Sequence, residues 1–303
     1  MGNGKPNTLF LKWVILIFLV LTWGSSYILM KRGLEGFSSA QVGALRISIT
    51  FLVLIPLVIK RIKSVPAKKY WLLIISGILG NGIPAFLFAH AQEGIDSEIS
   101  GILNTAAPLF ALIMGAVFFN LKTRWYNIVG VFVGLAGAVG LLSVGIKGFD
   151  NNFRYGIYVL IATFLYSINI NIVKKYFKEI DSITITSMAF VVMGVLASIY
   201  LFTDTDFVSR IGNTAGLIAF GYISILAVMG TAIANMLYNK LIKMTSVLFA
   251  SSVTYLIPIV AIMWGILDGE PFYLGYVFWI LMIFLGLYLV NRERKKNDER
   301  IFL

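Results

Sequence analysis

Long apolar stretches separated by short polar joints occupy almost the whole of this sequence. A helix needs about 20 apolar residues to cross a hydrocarbon core about 30 Å thick, and the chain divides into ten such stretches. Hydrophobic residues make up 59% of the chain and charged residues 13%, which excludes a water-soluble domain. The sequence therefore predicts an all-α integral membrane protein with ten transmembrane helices.

We call these predicted helices runs 1 to 10, in chain order. They lie near residues 11–30, 40–59, 70–90, 98–119, 125–143, 155–173, 183–202, 214–239, 245–267 and 272–290. Run 1 is not followed by the small-residue cleavage site of a secretory signal, so we expect it to be retained.

A proline motif occurs twice in the chain. The segment APLFALIMG begins at Ala107 and matches IPIVAIMWG, which begins at Ile257, at a constant spacing of 150 residues. The matched pairs are Pro108 and Pro258, Ala111 and Ala261, Gly115 and Gly265, Gly80 and Gly230, and Ile83 and Ile233. This spacing predicts two five-helix repeats, at residues 10–143 and 154–290, followed by a cytoplasmic tail at 291–303.

The number of spans in each repeat fixes their relative orientation. Because five is odd, the second repeat must be inverted in the membrane relative to the first. Inverted repeats around a site near the bilayer midplane are typical of secondary transporters. The repeat therefore indicates transport of a small solute by alternating access.

The charge pattern predicts the orientation of the whole chain. If the N-terminus lies in the cytoplasm, most lysines and arginines fall in inner joints such as 60–69 and 174–178, while acids gather in outer joints such as 93–98. Basic residues concentrate in cytoplasmic loops of membrane proteins. The arrangement of these charges, and not the net charge of +11 itself, thus predicts a multi-pass cell-membrane protein with both termini in the cytoplasm, and no nucleic-acid partner.

Two segments resemble a known family. The first, WGSSYILMKRGLEGFSSAQVGALR, contains a Trp-Gly-Ser element, a lysine about two turns later and an arginine in run 2. The second, GILDGEPFYLGYVFWILMIFLGLYLV, contains a Gly-Glu-Pro turn. The residues concerned are Trp23, Gly24, Ser25, Lys31, Arg46, Gly269, Glu270 and Pro271. Over roughly residues 10–290, the chain resembles the EamA family of the drug/metabolite transporter superfamily.

The resemblance implies a secondary transporter, by family analogy an exporter, of small metabolites such as amino acids. A facilitator or uniporter for nucleobases, sugars or drugs stays open, as does a structural membrane protein that transports nothing. One histidine and no cysteine provide too few groups for a metal cluster or a nucleophile with its base, so we expect no enzyme activity, metal or cofactor. The expected partners are a small-molecule substrate and membrane lipids, with protons and a monomer or homodimer left open.

Polar and aromatic side chains in runs 1, 3, 4, 6, 8 and 9, with one arginine in run 2, form the expected substrate pathway. Polar groups that face lipid are unfavourable, so these side chains should face a neighbouring helix or a cavity. The expected pathway residues are Trp23, Ser26, Arg46, Asn81, His90, Asn104, Pro108, Tyr166, Asn169, Asn235, Thr254, Tyr255 and Pro258. Runs 5 and 10 should stand aside from the cavity.

Three of these expectations leave alternatives open. Arg46 could lie in the pathway, extend to the outer interface, or pair with Glu35 or Glu98. His90 could couple transport to protons or simply lie at a helix end. Pro108 and Pro258 could form static kinks or hinges, because each proline frees a backbone carbonyl four residues earlier.

Run 5 carries glycines on one face, at Gly130, Gly134 and Gly137. Small residues at this spacing allow close helix packing in lipid. Spacing alone does not identify the partner helix, but the family resemblance would place runs 5 and 10 together at the rim of the molecule, as a possible dimer contact.

The topology can be tested by labelling tags at both termini in intact cells and in inside-out membrane vesicles. We expect labelling of both tags only when the cytoplasmic face is accessible, because the basic joints hold that face inside. A tag that is labelled on intact cells would contradict both the charge argument and the inverted repeat.

Overall fold

The computed structural model describes residues 6–95, 97–121, 123–143, 153–267 and 274–291, and within these residues the chain is helical without any strand. The α-helices are α1 (Pro6–Gly24), α2 (Ser26–Leu34), α3 (Ser39–Arg61), α4 (Tyr70–Gly77), α5 (Ile83–Ala91), α6 (Ser97–Asn104), α7 (Ala107–Phe119), α8 (Trp125–Ser143), α9 (Phe153–Tyr176), α10 (Ser182–Asp204), α11 (Phe207–Ile211), α12 (Thr214–Ala227), α13 (Ala234–Met244), α14 (Val247–Ser251), α15 (Val253–Leu267) and α16 (Gly275–Asn291). Short 3₁₀ turns cover Ile62–Ser64 and Ala67–Lys69, and π-helical stretches cover Ile78–Gly82 and Val228–Ile233.

Six helical segments of the described chain are long and apolar enough to cross a membrane. They are Phe10–Leu34, Ser39–Ser64, Ala67–Ala91, Arg154–Tyr176, Ser182–Asp204 and Thr214–Met244. Four apolar helices are shorter, namely Ala107–Phe119, Trp125–Gly140, Val247–Val260 and Gly275–Val290. The chain is thus an all-helical, multi-pass membrane protein, and the total of ten spans stays a prediction for the four shorter segments.

Three sequence features fall outside the described residues. They are the predicted midpoint joint between the repeats, the Gly269 to Pro271 turn and nearly all of the predicted tail at 291–303.

The helices of the two halves interleave around the centre. Run 1 (α1 and α2) packs against run 8 (α12 and α13) and against α15 of run 9. Run 6 (α9) packs in the same way against α5 of run 3 and α7 of run 4, while α3 of run 2 packs along α10 of run 7. Two bundles result, which we call bundle A (runs 3, 4 and 6) and bundle B (runs 1, 8 and 9).

The two π-helical stretches lie at matching positions of the sequence repeat. The stretch Ile78–Gly82 contains Gly80, and the stretch Val228–Ile233 contains Gly230, 150 residues later. In run 3, Pro84 follows at the start of α5 and cannot donate to the carbonyl of Gly80, which favours a widened helical turn there. Both halves therefore depart from regular α-helix at the same position of the repeat.

Runs 5 and 10 form a closely packed pair. A Cβ atom at Gly286 of α16 would lie 2.4 Å from the backbone nitrogen of Gly134 in α8, and one at Gly137 would lie 2.8 Å from the backbone nitrogen of Ile283. The predicted glycine face of run 5 is therefore a helix contact, and its partner is run 10. Because neither backbone can move away without separating the helices, these positions require glycine.

The substitution Gly286→Ala should destabilise this pair by about 1–3 kcal/mol, because an inserted methyl group overpacks the contact. The measurement is the midpoint of thermal unfolding in detergent micelles. Gly221→Ala is the matched control, since a Cβ there meets no atom within 4 Å. Equal midpoints for the two variants would show that the α8 and α16 contact is not close in the folded protein.

Candidate functional site

A cavity lies at the centre of the helices, between bundles A and B. Its volume is about 110 Å³, and one water molecule needs only about 10–15 Å³ on the same measure. Residues of runs 1 to 4 and 6 to 9 line it, whereas no described residue of α8 or α16 does. Both halves of the chain therefore meet around a central space for a small solute.

Many of the expected pathway residues line this cavity. They are Trp23, Ser26, Arg46, Asn81, Asn104, Tyr166, Asn169, Asn235 and Thr254. Run 7, which the sequence argument did not use, contributes Ala189 and Phe190.

Arg46 is the charged residue of the cavity wall. It is only 9% exposed, and its Nε atom donates a hydrogen bond to Thr231 Oγ1 at 2.7 Å. Its terminal Nη atoms have no hydrogen-bond partner among the described residues. Glu35, one of the acids considered as a partner, instead pairs with Arg32 at 2.7 Å. One nitrogen of the guanidinium group is thus held, and no described residue binds the other two; the side chain of Glu98, the other acid considered as a partner, lies outside the described part of the structure.

Side chains support the π-helical stretch of run 8. Trp23 Nε1 donates to the carbonyl of Gly230 at 2.9 Å, and Asn235 Nδ2 donates to the carbonyl of Thr231 at 2.8 Å. The Thr231 hydroxyl donates to the carbonyl of Leu226 at 3.1 Å. Because no backbone polar group can be left unpaired inside a membrane, such contacts make the irregular turn tolerable.

The π-helical stretch of run 3 packs closely against Asn169 of run 6. A Cβ atom at Gly80 would lie 2.1 Å from Asn169 Nδ2, so Asn169 approaches the backbone of run 3 directly. Ser76 Oγ donates to Asn169 Oδ1 at 2.5 Å. Asn81 lines the cavity, and its carboxamide has no hydrogen-bond partner among the described residues. This amide is therefore available to a bound solute.

Tyr27 joins bundle B to bundle A. Its hydroxyl accepts a hydrogen bond from Asn104 Nδ2 at 3.2 Å, and Thr163 Oγ1 donates to Asn104 Oδ1 at the same distance. The Tyr27 ring meets Phe88 edge to face, with ring centroids 6.2 Å apart. Phe88 in turn stacks on Tyr166, at 5.9 Å. One wall of the cavity is therefore aromatic and continuous between the bundles.

Several lining residues are absent from the predicted pathway, including Tyr27, Ser76, Thr231, Tyr238 and Asn239. The repeat spacing could have indicated Thr231, because it lies 150 residues after Asn81. Tyr238 and Asn239 follow Asn235 by about one helical turn and so share its face. For Ser76, no sequence signal was present.

Four of the expected pathway residues lie away from the cavity lining. The Tyr255 hydroxyl donates to the carbonyl of Val131 in α8 at 2.8 Å, which ties run 9 to run 5. Pro108 lies in the first turn of α7, where a missing N–H is tolerated, and Pro258 lies inside α15. His90 is half-exposed near the end of α5, with its Nδ1 atom 2.7 Å from Glu93 Oε2.

Glu93 remains a charged partner for His90. Burial raises the pKa of the Glu93 carboxyl, but hydrogen bonds from Ser39 and His90 outweigh burial and hold that pKa below its ordinary value. The backbone N–H of Ser39 donates to Glu93 Oε1 at 3.3 Å. The pair therefore ties the joint after run 3 to the start of run 2.

Among the described residues, no group of three or more histidine, cysteine, aspartate or glutamate side chains is placed so that it could hold a metal ion.

The fold and the central cavity define a multi-pass membrane protein with space for a small solute, and comparison with known proteins identifies its family as one of transporters. A model of the EamA-like transporter family matches residues 11–143 and 154–292. The chain therefore belongs to the EamA-like transporter family, which confirms the resemblance in its opening and closing segments.

Two relatives that match nearly the whole chain are named as transporters, and one that matches part of it is named as an exporter. An uncharacterized transporter of Archaeoglobus fulgidus is 27% identical over 288 residues, covering 93% of this chain and 99% of the relative. The uncharacterized inner membrane transporter YedA of Escherichia coli is 28% identical over 291 residues, covering 90% of each chain. A protein of Streptantibioticus cattleyicolor, named "Probable terminal-alkyne amino-acid exporter", is 24% identical over 134 residues, 43% of this chain and 44% of that protein.

A solved structure described only as "Crystal structure of protein" shares the fold. The TM-score is 0.71 at 17% identity, and the match covers 91% of this chain and 94% of the other.

Replacing His90 with Gln should leave the rate and the pH dependence of transport unchanged. His90 lies outside the cavity lining, and a glutamine amide can still donate to Glu93. The measurement is solute flux in proteoliposomes across the pH range in which histidine titrates, with the wild-type chain alongside. Loss of a pH dependence that the wild type shows would place His90 in the coupling mechanism.

Proposed function

We propose that this transporter exports small metabolites such as amino acids, and that it does so by alternating access of two inverted repeats. The observation that carries the proposal is the central cavity, whose walls come from both halves of the chain. Movement of bundle A against bundle B would open this cavity to one side or the other. Sites at the interface of repeats are the general arrangement of secondary transporters.

The pattern of helix contacts supports an inverted repeat. Run 1 of the first half packs on runs 8 and 9 of the second half. Its repeat equivalent, run 6, packs on runs 3 and 4, which are the equivalents of runs 8 and 9. The π-helical stretches and the glycines within them follow the same relation. A two-fold relation between the halves accounts for both observations.

Polar contacts join the bundles at the end where run 6 finishes. Lys174 Nζ donates to the carbonyl of Ile242 at 2.9 Å and also to that of Thr245, at the end of run 8. Lys243 Nζ, also near the end of run 8, donates to the carbonyl of Ile180 in the joint that follows run 6, at 2.6 Å. By the charge argument this end faces the cytoplasm, so opening of the cavity to the cytoplasm would require these lysines to release their carbonyl partners.

The contacts between Tyr27 and bundle A lie in the later part of run 1, toward the end of the molecule that faces away from these lysines. Opening of the cavity to the outside would separate Tyr27 from Asn104 and Phe88. In alternating access, the lysine contacts would break while the Tyr27 contacts persist, and the reverse would hold when the cavity opens to the other side.

The amino-acid class and the outward direction rest on two arguments. The partial relative from Streptantibioticus cattleyicolor carries the name of an amino-acid exporter. The cavity combines a buried arginine with amide and hydroxyl groups, which can pair with the polar backbone of an amino acid.

A facilitator or exchanger without proton coupling is the second candidate. No aspartate, glutamate or histidine occurs among the described lining residues of the cavity. Such side chains carry the protons in coupled transporters. This observation favours movement of the solute down its own gradient.

The proposal is tested with purified protein in liposomes, using labelled amino acids, nucleobases and sugars with and without an imposed pH gradient. We expect amino-acid flux that exceeds the flux in protein-free liposomes. Equilibration that ignores the pH gradient would support the facilitator, and accumulation that requires the gradient would support proton-coupled transport. Absence of protein-dependent flux for the whole panel would contradict the proposed substrates.

A further inference from the structure

We propose that the free end of the Arg46 guanidinium binds a carboxylate group of the transported solute, and that the site selects organic anions and rejects cations. This inference rests on the proposed transport function, because it identifies the substrate class of the same cavity. It goes further in making the carboxylate, and not the amino group, the feature that the cavity recognises.

The first argument is the state of Arg46 itself. An arginine side chain stays protonated, so the protein cannot remove this charge by losing a proton. The side chain is nine-tenths buried, and its hydrogen bond to Thr231 uses only the Nε atom. The remaining Nη donors reach the cavity without a partner among the described residues. A planar pair of donors of this kind matches the two oxygens of a carboxylate.

The second argument is the charge of the surrounding wall. Arg46 is the one charged residue among the described lining residues, and the rest are neutral polar, aliphatic or aromatic. A buried, unpaired charge is unfavourable, and a solute of opposite charge would relieve that cost. A cationic solute would meet the guanidinium with no described acid to compensate it. The cavity therefore discriminates by the sign of the solute's charge.

The third argument is the nature of the other contacts. Asn81 and the hydroxyls of Tyr166 and Tyr238 lack hydrogen-bond partners among the described residues and line the cavity. The Trp23 and Tyr238 rings meet edge to face, with centroids 4.9 Å apart. Such a wall suits an apolar or aromatic body with a few neutral polar groups. An ammonium group could gain hydrogen bonds there, but the wall does not require one.

Thr231 is a positioning residue in this account. Its hydroxyl holds Arg46 Nε at 2.7 Å and is itself fixed by the widened turn of run 8. Run 2 and run 8 meet at this hydrogen bond, which joins residues 185 positions apart in the chain. The direction in which the two Nη atoms of Arg46 point therefore depends on the π-helical stretch of run 8.

The experiment compares four aromatic probes that differ in charge. They are phenylacetate (anion), L-phenylalanine (zwitterion), phenylacetamide (neutral) and phenethylamine (cation). Binding to the purified full-length chain in detergent is measured by calorimetry at low salt. We expect phenylacetate and L-phenylalanine to bind about tenfold or more tightly than phenylacetamide, since a charge-assisted hydrogen bond is lost with the amide. Phenethylamine should bind most weakly.

Variants then locate the recognition. Arg46→Gln should remove the preference for phenylacetate over phenylacetamide. Arg46→Lys should retain part of this preference, because lysine keeps the positive charge but lacks the planar pair of donors of the guanidinium group. Thr231→Val should weaken phenylacetate binding while leaving phenylacetamide binding unchanged, and Thr231→Ser should restore it. Retained binding of phenylacetamide shows that each variant is folded. A preference for phenylacetate that survives in Arg46→Gln would overturn the proposal, as would equal binding of all four probes to the wild type.

The binding assay also separates this inference from the transport proposal. Arg46-dependent binding of phenylacetate without flux of any panel solute would support the carboxylate site and contradict the proposed function. Flux that is equal for phenylacetate and phenylacetamide, and unaffected by Arg46→Gln, would support transport and overturn the carboxylate site.

Discussion

The hydrogen-bonding demand of the backbone in lipid governs this structure. Without water, each backbone N–H and C=O must find a partner within the protein, which restricts the spanning segments to helices. Departures from regular helix can occur only where neighbouring side chains supply the missing bonds. The π-helical stretch of run 8 meets that condition at the centre, where Trp23 and Asn235 bind the carbonyls of Gly230 and Thr231. Irregular backbone and cavity therefore coincide.

The centre of the molecule also holds the positive charge of Arg46, at a depth where an uncompensated charge is most costly in a membrane. Arg46 reaches the cavity from run 2 and is held by a threonine of the widened turn in run 8. The pair of α8 and α16 stands apart, packed through glycines and contributing no described residue to the cavity wall. In the proposed alternating access, the closely packed rim would hold the molecule together while the two bundles move around the polar centre.

Much of the fold could be predicted from the sequence because it depends on local pattern. Apolar runs indicated a helical membrane protein, and the spacing of Gly130, Gly134 and Gly137 indicated a helix contact. The family resemblance followed from short segments and is confirmed. The site was harder, because its geometry depends on contacts between distant residues. Nothing local to Thr231 shows that it holds Arg46, and Tyr255, an aromatic residue within an apolar run like Tyr27, binds a backbone carbonyl of α8 instead of lining the cavity.

The central claim is that the two bundles move against each other around the cavity, and paired spin labels test it directly. The chain has no cysteine, so single label pairs can be introduced cleanly. One pair joins Arg154 of run 6 to Ala215 of run 8, and the other joins Lys175 to Lys240 at the opposite ends of the same runs. When phenylacetate or an amino acid is added in liposomes, we expect the two distance distributions to shift in opposite directions. Distances that stay fixed, or that change together, would contradict alternating access.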